Sequence, residues 1–535
     1  MSQENDTSQN KRIAKNTLAL YLRMMLQMLI GLYTSRVILQ ALGVDDFGIY
    51  NVVGSVTAML SLINGAMSNA TMRFITFELG RDNQQRLNEV FCVSMNIHII
   101  IAIITFIFLD TFGLWFLYNK MIIAPDRLDA AFWVLQFSIV TSVMSILSVP
   151  YNACIIAHEK MGTFALISLY QTLITLFLAL FLPYYSGDRL IVYAIILMAV
   201  QLTMQLIYFL YCKKHFSETS YRLIWKKPLF VEMAKFAGWT MNGNIAWLGY
   251  TQGLNILINI FFGTAVNAAR GVAFNVQSKV MGFCDSFQTA VRPQITKTYS
   301  SNDYKRLHSL VIGSSKFSYY LLLLLSLPIY IEIDEILRIW LGVVPEHTAN
   351  FVRIILLCSA IDILRNPMNA AIHATGNIKK YQLWEANTLL LIIPVAYITL
   401  KMGNTVESVF IVQLIIFIIV QIERVFIVCP QINMKKMTYF SSIILPIVRV
   451  TISAITFIFL IMSLWPLQKS NWIQFCFYIL YSLLSSSLSI YILGLNNNEK
   501  HKIISQFYKI EHYLKKFHLR LGQKFRYSKN YLNQT

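Results

Sequence analysis

Apolar residues in this chain come in long blocks and do not alternate with polar ones. Fourteen runs of roughly 20 residues can be drawn, at 17–40, 47–69, 90–115, 132–150, 163–183, 189–211, 237–261, 265–289, 310–331, 351–370, 382–401, 405–428, 441–465 and 472–494. A helix of about 20 residues crosses the ~30 Å hydrocarbon core of a bilayer. Lipid cannot satisfy the backbone of an isolated strand, and the runs lack the period of two that barrel strands show. The pattern predicts an all-α polytopic membrane protein with about 14 transmembrane helices. The run at 265–289 is the most polar of them.

The pattern also repeats. At a shift of 220 residues Leu42-Gly43 falls on Phe262-Gly263, Val52 on Val272, Ile75-Thr76 on Ile295-Thr296, and Arg86-Leu87 on Arg306-Leu307. Three residues fewer place Pro150-Tyr-Asn-Ala-Cys-Ile-Ile-Ala157 on Pro367-Met-Asn-Ala-Ala-Ile-His-Ala374. A register held this long predicts two six-helix lobes, 17–211 and 237–428, joined by a linker at 212–236 and followed by a helix pair at 441–494. Residues 1–16 and 495–535 flank them as a polar start and a basic tail. An even helix count per lobe makes the repeat parallel, about an axis along the membrane normal. Transporters with a cavity between rocking halves are built this way.

Composition agrees with the pattern: 56% of the residues are hydrophobic and 13% charged, against about 25% charged in soluble domains. The net charge of +19 does not point to nucleic acid, because it is sided. Even-numbered connections carry eighteen Lys/Arg, Arg73, Lys160, Lys226, Lys297, Lys380 and Lys435 among them. Odd-numbered ones carry seven: Lys120, Arg127, Arg189, Arg338, Arg353, Lys401 and Lys469. By the positive-inside rule the even side, and with it both termini, is expected in the cytoplasm. The seven cysteines form no CxxC pair and read as small buried residues, neither a disulfide framework nor a metal site.

No HExxH, GxSxG or P-loop pattern occurs, so no catalytic residue, metal or cofactor is expected. Polar residues within the spans are the better lead, because they are costly unless they face a cavity or a partner. Gln252, Asn255 and Asn259 share a face of the seventh run; Asn267, Arg270, Gln277 and Asp285 fall in one stripe of the eighth, with Lys279 on another face. Arg23 and Arg36 lie in the first run. These cations, with Gln252, Asn255 and Asn259, are the candidate cavity lining, and their sign favours an anionic cargo. Asp110 and Asp362 are candidates for ion coupling. The repeated prolines and asparagines, Pro150 with Asn152 and Pro367 with Asn369, suggest hinges. His158-Glu159-Lys160, which follows the first hinge motif, reads as a solvated turn.

The connections "PYNACIIAHEKMGTFA" and "PMNAAIHATGNIKKYQ", with "NAARGVAFNVQSKV" and "LRIWLGVVPEHTANFVRIILL", resemble bacterial polysaccharide-type flippases. These translocate O-antigen and capsule repeat units and belong to the multidrug/oligosaccharidyl-lipid/polysaccharide exporter superfamily. The resemblance covers residues 12–430. It implies a V-shaped pair of bundles in the bacterial inner membrane, moving an undecaprenyl-diphosphate-linked oligosaccharide by alternating access. Its partners would be the lipid-linked oligosaccharide, the bilayer and assembly proteins such as a polysaccharide polymerase. It also implies arginines on spans 1, 2 and 8 around the diphosphate. Arg23, Arg36 and Arg270 match in kind on spans 1 and 8, whereas span 2 offers only Arg73 at its end. The alternatives are a cation-coupled multidrug exporter of the same superfamily and a polytopic polymerase or glycosyltransferase.

Overall fold

A computed structural model describes residues 16–500 apart from parts of 32–60 and positions 120, 122, 263, 342–343, 465–471 and 498. Residues 16–31 form α1. There follow α2 (Ser61–Gly80), α3 (Gln84–Phe108), a π-helical turn (Leu109–Gly113) leading into α4 (Leu114–Asn119), α5 (Leu128–Ala157), α6 (Met161–Phe181) and α7 (Arg189–His215). The second series is α8 (Lys227–Phe262), α9 (Thr264–Ser300), α10 (Tyr304–Ile331), α11 (Ile333–Leu341), α12 (Thr348–Asp362), α13 (Arg365–Thr375), α14 (Lys379–Leu390), α15 (Ile392–Lys401) and α16 (Glu407–Gln431). The short α17 (Lys436–Tyr439) precedes α18 (Leu445–Leu464) and α19 (Trp472–Ser489). The described residues contain no strand, and ten helical stretches among them are long and apolar enough to cross a membrane. The all-α polytopic fold expected from the sequence is the fold observed.

The described residues fall into two compact units, one within 16–322 and 333–440 and the other within 323–332 and 441–500. In the second, α18 and α19 are held together through small residues. Ser485 donates to the Ala454 carbonyl at 3.0 Å, and Ser453 meets Ser489 at 3.1 Å, the close approach that serine permits between membrane helices.

The first unit contains both halves of the repeat, and equivalent helix pairs pack in each: α2 on α5 and α5 on α7 in one lobe, α9 on α12 and α12 on α16 in the other. The halves differ where the proline falls. In the first lobe α5 runs unbroken through Pro150 to Ala157. In the second the matching run breaks at Ile363-Leu364, and Pro367 sits in the first turn of α13, where a missing N–H costs nothing.

The stretch joining the lobes is a strap. Asn88 donates to the carbonyls of Glu218 and Ser220 (2.7 and 2.9 Å), and Asn96 donates to that of Ile224 (2.8 Å). These asparagines are eight residues apart on one face of α3, so residues 218–224 lie along the first lobe. The turns 81–83, 158–160, 301–303, 376–378 and 432–435 share the end of the bundle rich in Lys and Arg, hereafter the basic end. At the other end Arg127 joins Asp46 (2.6 Å) and Asp188 (2.7 Å).

Candidate functional site

At the basic end the ends of α2 and α9 meet, with no room for a side chain at Gly80. A Cβ there would lie 2.9 Å from the Lys297 carbonyl oxygen and 3.0 Å from its Cα. Leu20 of α1, Met161 of α6 and Ala290 of α9 form a buried cluster nearby. Tyr21 packs on Phe283 with ring centroids 6.1 Å apart, and Ser286 Oγ lies 3.6 Å from the Met24 sulfur.

Two charged residues cross between the lobes here. Arg73 of α2 donates through Nε to the His373 carbonyl (3.2 Å) and through Nη2 to that of Ala374 (3.4 Å). The last carbonyls of a helix carry partial negative charge, so α13 presents an acceptor without a carboxylate. Gly376 then turns the chain away at φ +79°, and a Cβ there would stand 2.5 Å from Arg73 Nη2. The guanidinium stacks over Phe74 at 4.4 Å and Phe77 at 4.8 Å.

The second crossing is Glu159, and it corrects the sequence reading of His158-Glu159-Lys160 as a solvated turn. Glu159 is 3% exposed. Its carboxylate accepts from Gln294 Nε2 at 2.5 Å and from Lys297 Nζ at 2.9 Å. Those donors are three residues apart on α9 and so share a face. The Glu159 carbonyl accepts from Asn16 Nδ2 at 3.0 Å. His158 points the other way, to Glu218 of the strap at 2.5 Å, and stacks on Phe216. Burial pushes the Glu218 carboxyl up, but its bonds to His158, to its own backbone N–H and to Gln84 outweigh this and hold it below the usual carboxylate range. A cavity of about 60 Å³ lies beside the Arg73 crossing, between α2, α9 and α13, lined by Arg73, Thr76, Arg292, Thr296, Asn369 and His373.

Deeper in the bundle, the stripe read from the eighth run splits. Arg270 turns into its own lobe, 6% exposed, donating to Asn255 Oδ1 (3.1 Å) and the Thr251 carbonyl (2.8 Å), with its guanidinium over Phe274. Gln277 donates to Ser359 of α12 at 2.8 Å. Asn275, Ser278 and Asp285 occupy another face with Gly271 and Gly282. All three polar residues are exposed, as is Lys279 beside them. Gly282 approaches Met24 of α1, so this face looks toward the first lobe.

The remaining sequence candidates separate. Gln252 is exposed on α8 beside Ile256. Asn259 lies in α8 but its side chain is outside the described ones, and Arg36 lies outside the described residues altogether, as does the tail beyond 500. Arg23 is half-buried in the first lobe, its guanidinium over Phe164 at 4.6 Å. Asp110 accepts from Gln136 at 2.9 Å. Pro150 and Pro367 are buried, and Asn152 and Asn369 each bury a side-chain oxygen.

Asp362 belongs to a buried ionic network that the sequence reading missed. Arg365 lies 3.6 Å from it and Arg424 4.0 Å, and Arg424 pairs with Glu385 at 2.6 Å. Asn366 donates to both Asp285 (2.9 Å) and Gln288 (2.6 Å), and Gln288 satisfies the Ile363 carbonyl freed by the helix break. Arg365, Glu385 and Arg424 are charges inside apolar runs, and a scan for such charges in every run finds them.

No protein-family model and no curated protein sequence matches the chain. Solved structures do. A MATE structure in the straight conformation aligns with TM-score 0.69 at 12% identity, covering 79% of this chain and 97% of its own. An outward-facing multidrug resistance MATE family transporter of the MOP superfamily aligns with TM-score 0.69 at 13%, covering 79% and 96%. A MOP superfamily transporter from Pyrococcus furiosus, described as having a binding pocket of reverse polarity, aligns with TM-score 0.67 at 12%, covering 79% and 96%. The chain shares the fold of these proteins.

Proposed function

We propose that this protein is a membrane transporter working by alternating access, and that its cargo is a lipid-diphosphate-linked oligosaccharide, the headgroup crossing between the lobes while the lipid tail stays in the bilayer. The observation that carries this reading is the face of α9 holding Asn275, Ser278, Lys279 and Asp285. These groups are exposed at membrane depth, on the side where Gly282 approaches Met24 of the other lobe, and Asp285 among them is tied to its own lobe through Asn366. An exposed position of this kind is tolerable beside water or a polar cargo. Closure at the basic end supports a state from which cargo leaves by the opposite end. By the positive-inside rule the basic end is cytoplasmic, and transport runs outward across a bacterial inner membrane.

The sign of the charge supports an anionic cargo. Asp362 and Glu385 have guanidinium neighbours, whereas Lys279 is exposed on the polar face. A second reading, a cation-coupled exporter of cationic drugs, draws on Asp285, the carboxylate on that same face. Translocation of a fluorescent undecaprenyl-diphosphate oligosaccharide in proteoliposomes separates them. The proposed function expects protein-dependent appearance of the headgroup in the far leaflet. Export of cationic dyes with no movement of the lipid would replace it by the second reading.

A further inference from the structure

The two turns at the basic end, 158–160 and 375–377, occupy the same place in the repeat: at the shift that matches Pro150 to Pro367, Glu159 falls on Gly376. Both residues have left-handed backbone, φ +59° at Glu159 and +79° at Gly376. Glycine adopts that conformation freely. A residue with a Cβ is strained by it, and the strain persists only where surrounding contacts over-determine it. The backbone of this turn therefore has no need of a glutamate, and the side chain of Glu159 is the reason for the residue.

The partners repeat as well. α2 and α9 are equivalent helices, and each brings a cation from its last turns onto the turn of the opposite lobe. Lys297 of α9 meets the Glu159 carboxylate, and Arg73 of α2 meets the carbonyls of His373 and Ala374 just before Gly376. The arrangement is a roughly paired set of contacts, cation from helix and acceptor from turn, although the cations stand at different places in their helices, since Arg73 falls on Pro293 and Phe77 on Lys297 at the shift of 220. The halves are chemically unequal. The Arg73 side uses backbone acceptors that no substitution removes, with the exposed Glu232 carboxylate 4.0 Å away as a further neighbour; the Glu159 side rests on one buried carboxylate. That carboxylate is braced from behind, because His158 ties the same turn to the strap through Glu218.

We infer that Glu159 and Lys297 form a latch that sets how firmly the lobes close at the basic end, with Arg73 and the end of α13 as its fixed counterpart. This rests on the alternating-access reading of the fold and is independent of what is carried. Reopening the basic end to load cargo must break the ion pair, and the strain at Glu159 favours release once the contacts part.

The test uses Thr296, which lines the cavity beside Arg73 and is the neighbour of Lys297 in α9. A Thr296→Cys protein, in membranes opened to the basic side, is labelled with a membrane-impermeant maleimide, and the parent protein supplies the background of the native cysteines. Glu159→Gly copies the other lobe's turn, so it keeps the fold while removing the latch. Labelling should rise about tenfold in Lys297→Met, the population change expected when a two-state closure loses one ion pair, and at least as much in Glu159→Gly, which also removes the acceptor of Gln294. The double variant should not exceed Glu159→Gly alone, since that change has already removed the ion pair. Labelling within twofold of the parent in both single variants, with thermal midpoints unchanged, overturns the latch. Lipid-linked oligosaccharide left unmoved by a protein whose labelling still depends on Glu159 overturns the cargo and leaves the latch standing.

Discussion

Arg424 and Glu385 sit 2.6 Å apart inside the second lobe, their side chains 3% and 9% exposed. Each also belongs to a wider set: Arg424 donates to Gln421 at 3.1 Å, and Gln421 donates to the Tyr439 hydroxyl at 3.0 Å. Buried pairs of this kind are weak sources of net stability but dangerous to break, because the surviving partner keeps an uncompensated charge.

Arg424→Met should therefore cost about 3–5 kcal/mol, whereas Arg424→Met combined with Glu385→Met should cost less than the single change. Thermal unfolding of purified protein in detergent checks both. A single variant as stable as its parent would show that the lobe tolerates the lone carboxylate, and would remove the network from the account of this fold.

Gly80 makes a second prediction through backbone geometry. Its missing Cβ leaves space for Lys297, whose carbonyl oxygen and Cα are backbone atoms that cannot swing aside. Gly80→Ala should push α2 and α9 apart and raise labelling at Thr296→Cys without touching a charge. Alanine favours helix over glycine by roughly 1 kcal/mol, but overpacking against backbone costs about 1–3 kcal/mol, so the thermal midpoint should hold or fall slightly while the closure loosens. Unaltered labelling would mean that the α2–α9 approach does not govern closure.

The elements were legible because their cause is one-dimensional: run length against bilayer thickness, and a repeat that shows in the sequence itself. What each side chain touches was not. Arg270 and Asp285 fall on one stripe of a helical wheel, yet Arg270 turns to Asn255 of α8 while Asp285 accepts from Asn366 of α13. A wheel fixes the angle between two residues and says nothing of which neighbour lies in that direction. Glu159 was misjudged for a related reason. Charged residues in short turns are usually solvated, and its partners lie 135 and 138 residues away. A signal was present in the repeat: Glu159 against Gly376 at a turn of conserved geometry marks a residue kept for its side chain. The break at Ile363-Leu364 was beyond any pattern, since Pro150 at the equivalent place leaves α5 unbroken.

Asp188 gives a pH prediction at the opposite end of the bundle. Its carboxylate accepts from the backbone N–H groups of Leu190 and Ile191 at the start of α7 and from Arg127 at 2.7 Å. Burial pushes the carboxyl up, but Arg127 and these amides outweigh it, so the folded value is lowered. A lowered carboxylate stabilises the fold fully at neutral pH, down to the ordinary range near pH ~4, and that stabilisation is lost as pH falls further through the folded value. Asp188→Asn keeps a capping oxygen and loses the charge, so its deficit in thermal midpoint should be present at pH 7 and shrink below pH ~4. A deficit independent of pH would assign the effect of Asp188 to capping alone.

Lys279 and Arg270, nine residues apart on α9, should part company when each is replaced by methionine. Arg270 is buried, and its loss strands the Asn255 oxygen, costing about 1–3 kcal/mol if left without a partner. Arg270→Met should thus lower the thermal midpoint, and transport should fall only as the folded fraction falls. Lys279 is exposed, where substitutions usually move stability by less than ~0.5 kcal/mol. Lys279→Met should leave the midpoint unchanged and slow headgroup translocation about tenfold, the loss of one charge-assisted contact. Measuring both quantities on both variants separates a residue that builds the lobe from one that meets the cargo. Transport retained in Lys279→Met, but abolished in a stable Arg270→Met protein, would reverse the assignment and place the cargo against the α8–α9 face, where Asn255 already points at Arg270.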